Sequence, residues 1–383
     1  MERPGPGAVL RLAWRILAHE KGRTVLAVAG VFIAILLVFV ELGFFVAVPR
    51  GGMLVYDHLR FDLLLCSTDY AFQAEPGQFP RVRLAEAAKV PGVAQATPLY
   101  FAGAKWQEPR GGYRLDAFLI GFDPAAHPFA VPDIERQGAT LARPDTILVD
   151  GASRSIFGPL TAGTEILLDN RKATIGGDYR LGTGFLGMAV AVMDEANFFR
   201  LLAPRPADAV NLGLITVTPG ADVQKTADAL ARALPNDVRV FTRPALTEHE
   251  DTYWTTRTSV GLIFGSGLII SFIVGIMVLY QTLATQIARH LPEFATLKAI
   301  GYTDAYLATV VMVEAAMIVF VAFVPAAVAA VAIYAQIRSA TLLPVDMTAP
   351  NLIAVLGAAL AMSAASAFLS LGNLRRADPA DVF

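Results

Sequence analysis

Four stretches of the chain are almost continuously apolar and nearly free of charge: 24–48, 258–285, 305–337 and 351–374. No charged residue stands between Arg23 and Glu41 in the first, or between Arg257 and Arg289 around the second. The third carries one acid, Glu314, and a proline, Pro325, expected to kink it rather than end it. At about 1.5 Å per residue, each run is long enough to cross a hydrocarbon layer roughly 30 Å thick. Apolar runs of core helices in soluble proteins reach only about 10–14 residues, and those of signal sequences about 7–15, so both readings fail on length. The pattern predicts four membrane-spanning helices in a 1+3 arrangement, the first a retained anchor.

Ordinary globular patterning returns abruptly at Pro49-Arg50-Gly51-Gly52 and lasts to 257. Residues 61–66, 93–101, 212–218 and 238–241 read as strands, and 84–89 as a short helix. Residues 222–234 read as an amphipathic helix with Val223, Ala227, Leu230 and Leu234 on one face. Two strand-helix-strand units around a middle piece predict an α+β domain with a split ferredoxin-like core. The middle piece, about 105–203, holds short strands at 115–121, 146–150, 165–168, 173–175 and 188–193, and reads as a β-rich insertion.

Lys and Arg beside spans stay on the cytoplasmic side. Arg3, Arg11, Arg15, Lys21 and Arg23 precede the first span, Arg289 and Lys298 separate the second and third, and Arg375 and Arg376 follow the fourth. The expected layout is a cytoplasmic segment 1–23, a span, an extracytoplasmic domain 49–257, and a span. A cytoplasmic connection 286–304, a third span, an external loop 338–350, a fourth span and a cytoplasmic tail 375–383 follow. In a bacterium this places the chain in the inner membrane, with both termini in the cytoplasm. Ahead of the first span, Leu10, Trp14 and Leu17 share one helical face and Arg11 and Arg15 another, which predicts a helix on the inner membrane surface.

Composition narrows the chemistry. The mean hydropathy is +0.52, and 55% of residues are hydrophobic against 17% charged. A net charge of -2 gives no basic footprint for nucleic acid. One cysteine, Cys66, excludes an internal disulfide framework and any CxxC motif. No Gly-Lys pair exists, so a GxxxxGK[ST] phosphate cradle is impossible; there is no HExxH, no GxSxG and no closely spaced histidine pair. No catalytic residue, cofactor or metal site is expected in the chain itself.

The stretch between spans two and three is the most informative. Pro292 suits a first helical turn, Glu293 the positive N-terminal end, and Gly301 the position just past the last turn. Phe294, Leu297 and Ile300 form an apolar stripe flanked by Glu293 and Lys298. Physics alone leaves two readings of that stripe: docking in another protein's groove, or lying among lipid headgroups. In the spans, Gly261 and Gly265 make a GxxxG pair, and Gly357, Ala361 and Ala365 continue small-xxx-small spacing. Packing within the chain and dimerisation both fit. Glu314 is an intramembrane acid expected to bond a neighbouring helix, and Glu41 is placed to reach the outer headgroups.

Glu293-Phe294-Ala295-Thr296-Leu297-Lys298-Ala299-Ile300-Gly301, followed by a span and an Asp378-Pro379-Ala380 tail, resembles the FtsX-like permease family of ABC transporters, with its E-x-A-x-L-[RK]-A-[IL]-G pattern. The 1+3 layout around one large outer domain is similar to that family too, and within it to MacB-type and DevC-type permeases. The segment Met193-Asp194-Glu195-Ala196-Asn197-Phe198-Phe199 looks closest to the DevC branch. The resemblance implies a coupling helix, built from Pro292, Glu293, Phe294, Leu297, Lys298, Ile300 and Gly301, seated on a separately encoded dimeric ATPase that holds ATP and Mg. It also implies a homodimer of this chain, a periplasmic adaptor and an outer-membrane duct. Two rival expectations remain: a transmembrane regulator of an external enzyme, and an anchored receptor with no ATPase.

Overall fold

The computed structural model describes residues 10, 11, 13–15, 18, 21–108, 113–153, 155–182, 189–202, 204–206, 208–341 and 343–375. The chain forms two compact units. One comprises Met1–Ala47, Ser259–Arg338 and Val345–Phe383; the other comprises Val48–Thr258 and Ser339–Pro344. Leu17, Arg3, Arg376 and the Asp378-Pro379-Ala380 tail lie outside the described residues.

The membrane unit holds four helices long and apolar enough to cross a bilayer. The first does not stop at 48, where the proline and glycines predicted an end; it runs Lys21–Asp57 with Pro49 inside it. Met53, Val55 and Tyr56 are buried in the core of the large domain. Burying three such side chains at about 1.5–3 kcal/mol each outweighs the roughly 3 kcal/mol cost of an interior proline. The other spans also exceed their expected limits, as helices Ser259–Arg289, Asp304–Thr341 and Ala349–Arg375. The expected loop at 338–350 thereby shrinks to the link between Thr341 and Ala349, where Arg338 pairs with Asp346. All four spans contribute to one bundle core, including Ile35 and Phe39, Leu279, Ile318 and Ala322, and Val355 and Met362. Ahead of the first span, Ala13 is buried with Val310, leaving Leu10 and Trp14 exposed.

The large domain is built on β1 (Leu63–Ser67), β2 (Phe79–Pro80), β3 (Val93–Gln107), β4 (Leu115–Phe122), β5 (Thr146–Asp150), β6 (Glu165–Leu168), β7 (Arg171–Tyr179), β8 (Ala189–Asp194), β9 (Ala209–Val210), β10 (Leu212–Val217) and β11 (Val238–Thr242). Its main sheet has the order β11-β1-β10-β3-β4-β8-β5-β7-β6. The first four strands are antiparallel throughout, and numbered among themselves they run 4-1-3-2, the order of a split ferredoxin-like βαββαβ unit. The helices Val82–Ala87 and Val223–Ala233 cover one face through Leu84, Ala87, Ala227 and Leu230. Leu63 and Leu65 join that core, whereas Leu64 and Cys66 enter the core on the opposite face with Leu246 and Tyr56. Burial on both faces explains why β1 reads as an unbroken apolar run.

The insertion is not a separate module. Its first strand is the continuation of β3, which pairs with β10 through Leu99 and with β4 from Leu99 to Trp106. The end of β3 also pairs with β6, Trp106 opposite Leu168, so β3-β4-β8-β5-β7-β6 closes on itself as a six-stranded barrel. Closure removes the sheet edge the insertion would otherwise expose. Trp106 is fully buried at the seam, edge-on to Phe157 with ring centroids 5.8 Å apart. Replacing it with alanine (W106A) is expected to cost about 3–5 kcal/mol of large-domain stability, read as a lowered denaturant midpoint of the full chain.

Candidate functional site

The connection between the second and third spans folds as a separate helix, Leu291–Ala299, with Pro292 in its first turn. Its end is fixed by chemistry visible in the sequence. Gly301 has φ +105, its N–H donates to Lys298 O at 2.9 Å, and the Tyr302 N–H donates to Leu297 O at 3.1 Å. These two bonds are those of a Schellman stop, which needs a residue free to take positive φ. Lys298 Nζ lies 2.9 Å from Asp304 at the start of the third span, and His290 Nδ1 lies 3.4 Å from Glu293.

The apolar stripe does not face outward as a unit. Phe294 is 3% exposed, packed with Leu283, Ile287, Leu307 and Val311, with Leu291 and Leu297 alongside. Ala295 is also buried. Ile300, by contrast, is 55% exposed. The reading that put Phe294, Leu297 and Ile300 together against a partner is therefore corrected: Phe294 anchors the helix to its own bundle. The outward face carries Pro292, Glu293, Thr296, Ala299 and Ile300. Spacing alone could not distinguish a stripe that seats the helix from one that meets another protein.

The small residues of the spans divide in the same way. Gly261 is buried, and a Cβ on Gly265 would meet Phe45 of the first span at 3.6 Å. Gly357 and Ala361 are exposed and Ala365 is half-buried, so that row does not pack within the bundle. Closer approaches occur at glycines that no motif singled out. A Cβ on Gly275 would stand 2.5 Å from Met362 Sδ, and one on Gly43 would overlap the ring of Tyr334, whose hydroxyl donates to Phe39 O. Glu314 is 2% exposed, and its Oε1 makes no hydrogen bond among the described residues.

The segment 193–199 has a clear structural task. Asp194 caps the helix Glu195–Leu201 by accepting from the Ala196 N–H. Buried Asn197 donates to Leu141 O and Arg143 O and accepts from the Asp145 N–H, which pins that helix to the loop before β5. An open cavity of about 570 Å³ is lined by Asp69, Gly77, Gln78, Phe101, Gly103 and Arg205, among others. It lacks the enclosed apolar wall typical of a small-molecule pocket.

Four apolar helices, with a large mixed α/β domain inserted between the first and second, define a polytopic membrane protein of 1+3 design. Residues 265–379 match the family described as FtsX-like permease C-terminal. The match takes in most of the second span and all of the third and fourth, and makes this part of the chain similar to the FtsX-like permeases. Two solved structures are similar to the large domain. The periplasmic region of MacB from Actinobacillus actinomycetemcomitans is 9% identical over 51% of this chain and 94% of that one, with a TM-score of 0.37. The extracellular domain of the noncanonic ABC-type transporter YknZ from Gram-positive bacteria is 10% identical over 48% of this chain and 99% of that one, with a TM-score of 0.34. Likeness of that degree adds nothing to the functional argument. A comparison with curated proteins gives no match.

The two kinds of apolar residue on the short helix separate experimentally. Phe294→Ala is expected to lower bundle stability by about 3–5 kcal/mol, whereas Ile300→Ala should change it by no more than about 0.5 kcal/mol. Thermal unfolding of the full chain in detergent micelles checks both.

Proposed function

We propose that this chain is the membrane lever of an ATP-driven export complex. In this reading an ATPase dimer binds the short helix Leu291–Ala299 from the cytoplasm, and nucleotide-driven closure moves spans two and three and, through them, the extracytoplasmic domain. The observation that carries the reading is the two-sided helix itself. Phe294 and Ala295 fix it to the bundle, while Pro292, Glu293, Thr296, Ala299 and Ile300 stay free to meet a partner. A helix held firmly on one face transmits a push received on the other. The FtsX-like match over 265–379 supports an ATPase as that partner.

Transmission rather than conduction fits the spans. Their shared core is mostly aliphatic and aromatic, with Ile35, Phe39, Leu279, Val355 and Met362 meeting in its interior and a few polar side chains such as Ser271, Glu314 and Ser366 buried in the spans. A wide aqueous pathway would need polar groups lining it. ATP and Mg belong to the partner in this reading, and the chain supplies no cofactor site. The outward row Gly357, Ala361 and Ala365 is the surface assigned to a second copy of the chain. An adaptor, an outer-membrane duct and placement in the DevC branch complete the proposal; the last is supported by the segment 193–199. The basic residues beside the spans support an inner-membrane protein with both termini inside.

Charge placed on the free face should break coupling without harming the bundle. Ala299→Glu and Ile300→Glu are expected to weaken binding of the co-expressed ATPase subunit at least about tenfold, with normal membrane insertion. Unchanged binding by both variants would refute the assignment. Orientation has its own test. Tyr113 is 89% exposed, whereas Cys66 is fully buried and its thiol is pushed up to about 12 by that burial, leaving it protonated and unreactive. A Tyr113→Cys chain should react with a membrane-impermeant maleimide added outside; protection there with labelling only after lysis would reverse the topology.

A further inference from the structure

Where the large domain takes in the end of the first helix and sends the chain on toward the second span, one carboxyl is sealed inside. Glu250, on the helix Arg243–Thr252, has no exposed surface. Tyr70 donates its hydroxyl hydrogen to Glu250 Oε1. Its oxygen lies 2.7 Å from the Tyr56 hydroxyl, which is thus left to donate. A relay of two hydroxyls ties residue 56 of the first helix to residue 250. The other oxygen, Oε2, is buried without a hydrogen bond of ordinary geometry. A Cβ on Gly52 would stand 2.5 Å from Trp254 Nε1 and 3.3 Å from Oε2, so the first helix closes on this cluster with no room for a side chain. Phe72 stacks on Tyr253 at 4.6 Å and meets Trp254 edge-on at 5.4 Å, completing a lid of rings.

We propose that Tyr56, Tyr70 and Glu250 form a proton-operated latch that fastens residues 51–57 to residues 243–257, tight when Glu250 carries a proton and loosened when it does not. An anion there would be sealed from water with no exposed surface, a state that water entry or local opening relieves. Burial pushes the Glu250 carboxyl up to about 7, against the lowering effects of Tyr70, Trp254 and the Gln73 main chain.

Other titratable and charged groups face the cluster from every element around it. From the first helix come Tyr56, held well above its usual value by burial, and Arg50, which faces Asp251. From β1 comes Cys66, raised to about 12 by burial. The loop after it brings Tyr70, raised well above its usual range by burial. From β11, Arg239 donates to Thr68 O and Tyr70 O. On the helix itself, burial lowers His249, which faces Ala71 O, Arg239 and Arg257, and raises Asp251. The turn Tyr253–Arg257 adds Tyr253, raised by burial, and Arg257.

The sign follows from proton counting. The closed latch holds its proton up to about 7, whereas a solvated glutamate loses it near 4.5. Between those values the closed form binds more protons, so raising the pH opens it, about tenfold per unit, with a plateau above 7. What the latch gates rests on the lever reading above, but its test needs no ATPase, so a negative result here leaves that reading standing.

Hydrogen exchange of the full chain in lipid nanodiscs, corrected for intrinsic rates, measures opening of 51–57 and 253–257 from pH 5 to 8.5. The expected result is the rise and plateau in the unmodified chain, a flat profile in Glu250→Gln, and faster exchange in Tyr70→Phe with the plateau reached at higher pH. A flat profile in the unmodified chain overturns the latch. So does a Glu250→Gln chain that keeps the rise, because another group would then be titrating.

Discussion

The lever proposed for this chain depends on how one short helix is held. Phe294 sits against Leu283, Leu307 and Val311, residues from the helices on either side, and Ala295 is buried as well. The Schellman bonds at Gly301 and Tyr302 then stop the helix at a fixed point before the third span begins. An element fixed at its centre and end has one face left, and that face determines what a partner can touch. In the proposed lever this packing carries a push on the helix to the spans, because Phe294 is buried among their side chains.

Much of this was legible in advance. Spans were visible because hydrocarbon tolerates few charges, and the short helix because Pro292, Glu293 and Gly301 each suit one helical position. The split ferredoxin-like core was expected from two strand-helix-strand units, whose helix Val223–Ala233 shows its apolar face in sequence. What stayed hidden was tertiary. Pro49 is a local breaker overruled by the burial of Met53 and Tyr56, which nothing nearby in sequence announces. The continuation of β3 to Gln107 and the Trp106–Leu168 pairing join residues far apart in the chain. Gly43 and Gly275 look like any span glycines until Tyr334 and Met362 are placed against them. Glu250 reads as one more acid in a polar helix, because alternation cannot say that Tyr70 will cover it.

The large domain reaches its stability without covalent staples. Its only cysteine is buried and unpaired, and the sheet is instead packed on both faces, with Leu63 and Leu65 in one core and Leu64 and Cys66 in the other. Two cores sharing one sheet mean that a change on either side is felt through the same strands. Polar groups brought inside are put to use: Asn197 bonds four main-chain groups, and Asn211 bonds Phe101 N–H and Gly77 O.

The shared strand β3 has a mechanical consequence. It belongs at once to the four-stranded half and to the closed barrel, with no flexible joint where one becomes the other. A torque applied to either half is borne by the same backbone, so the two must swing as one stiff spar. Any bending within the large domain has to occur away from that strand.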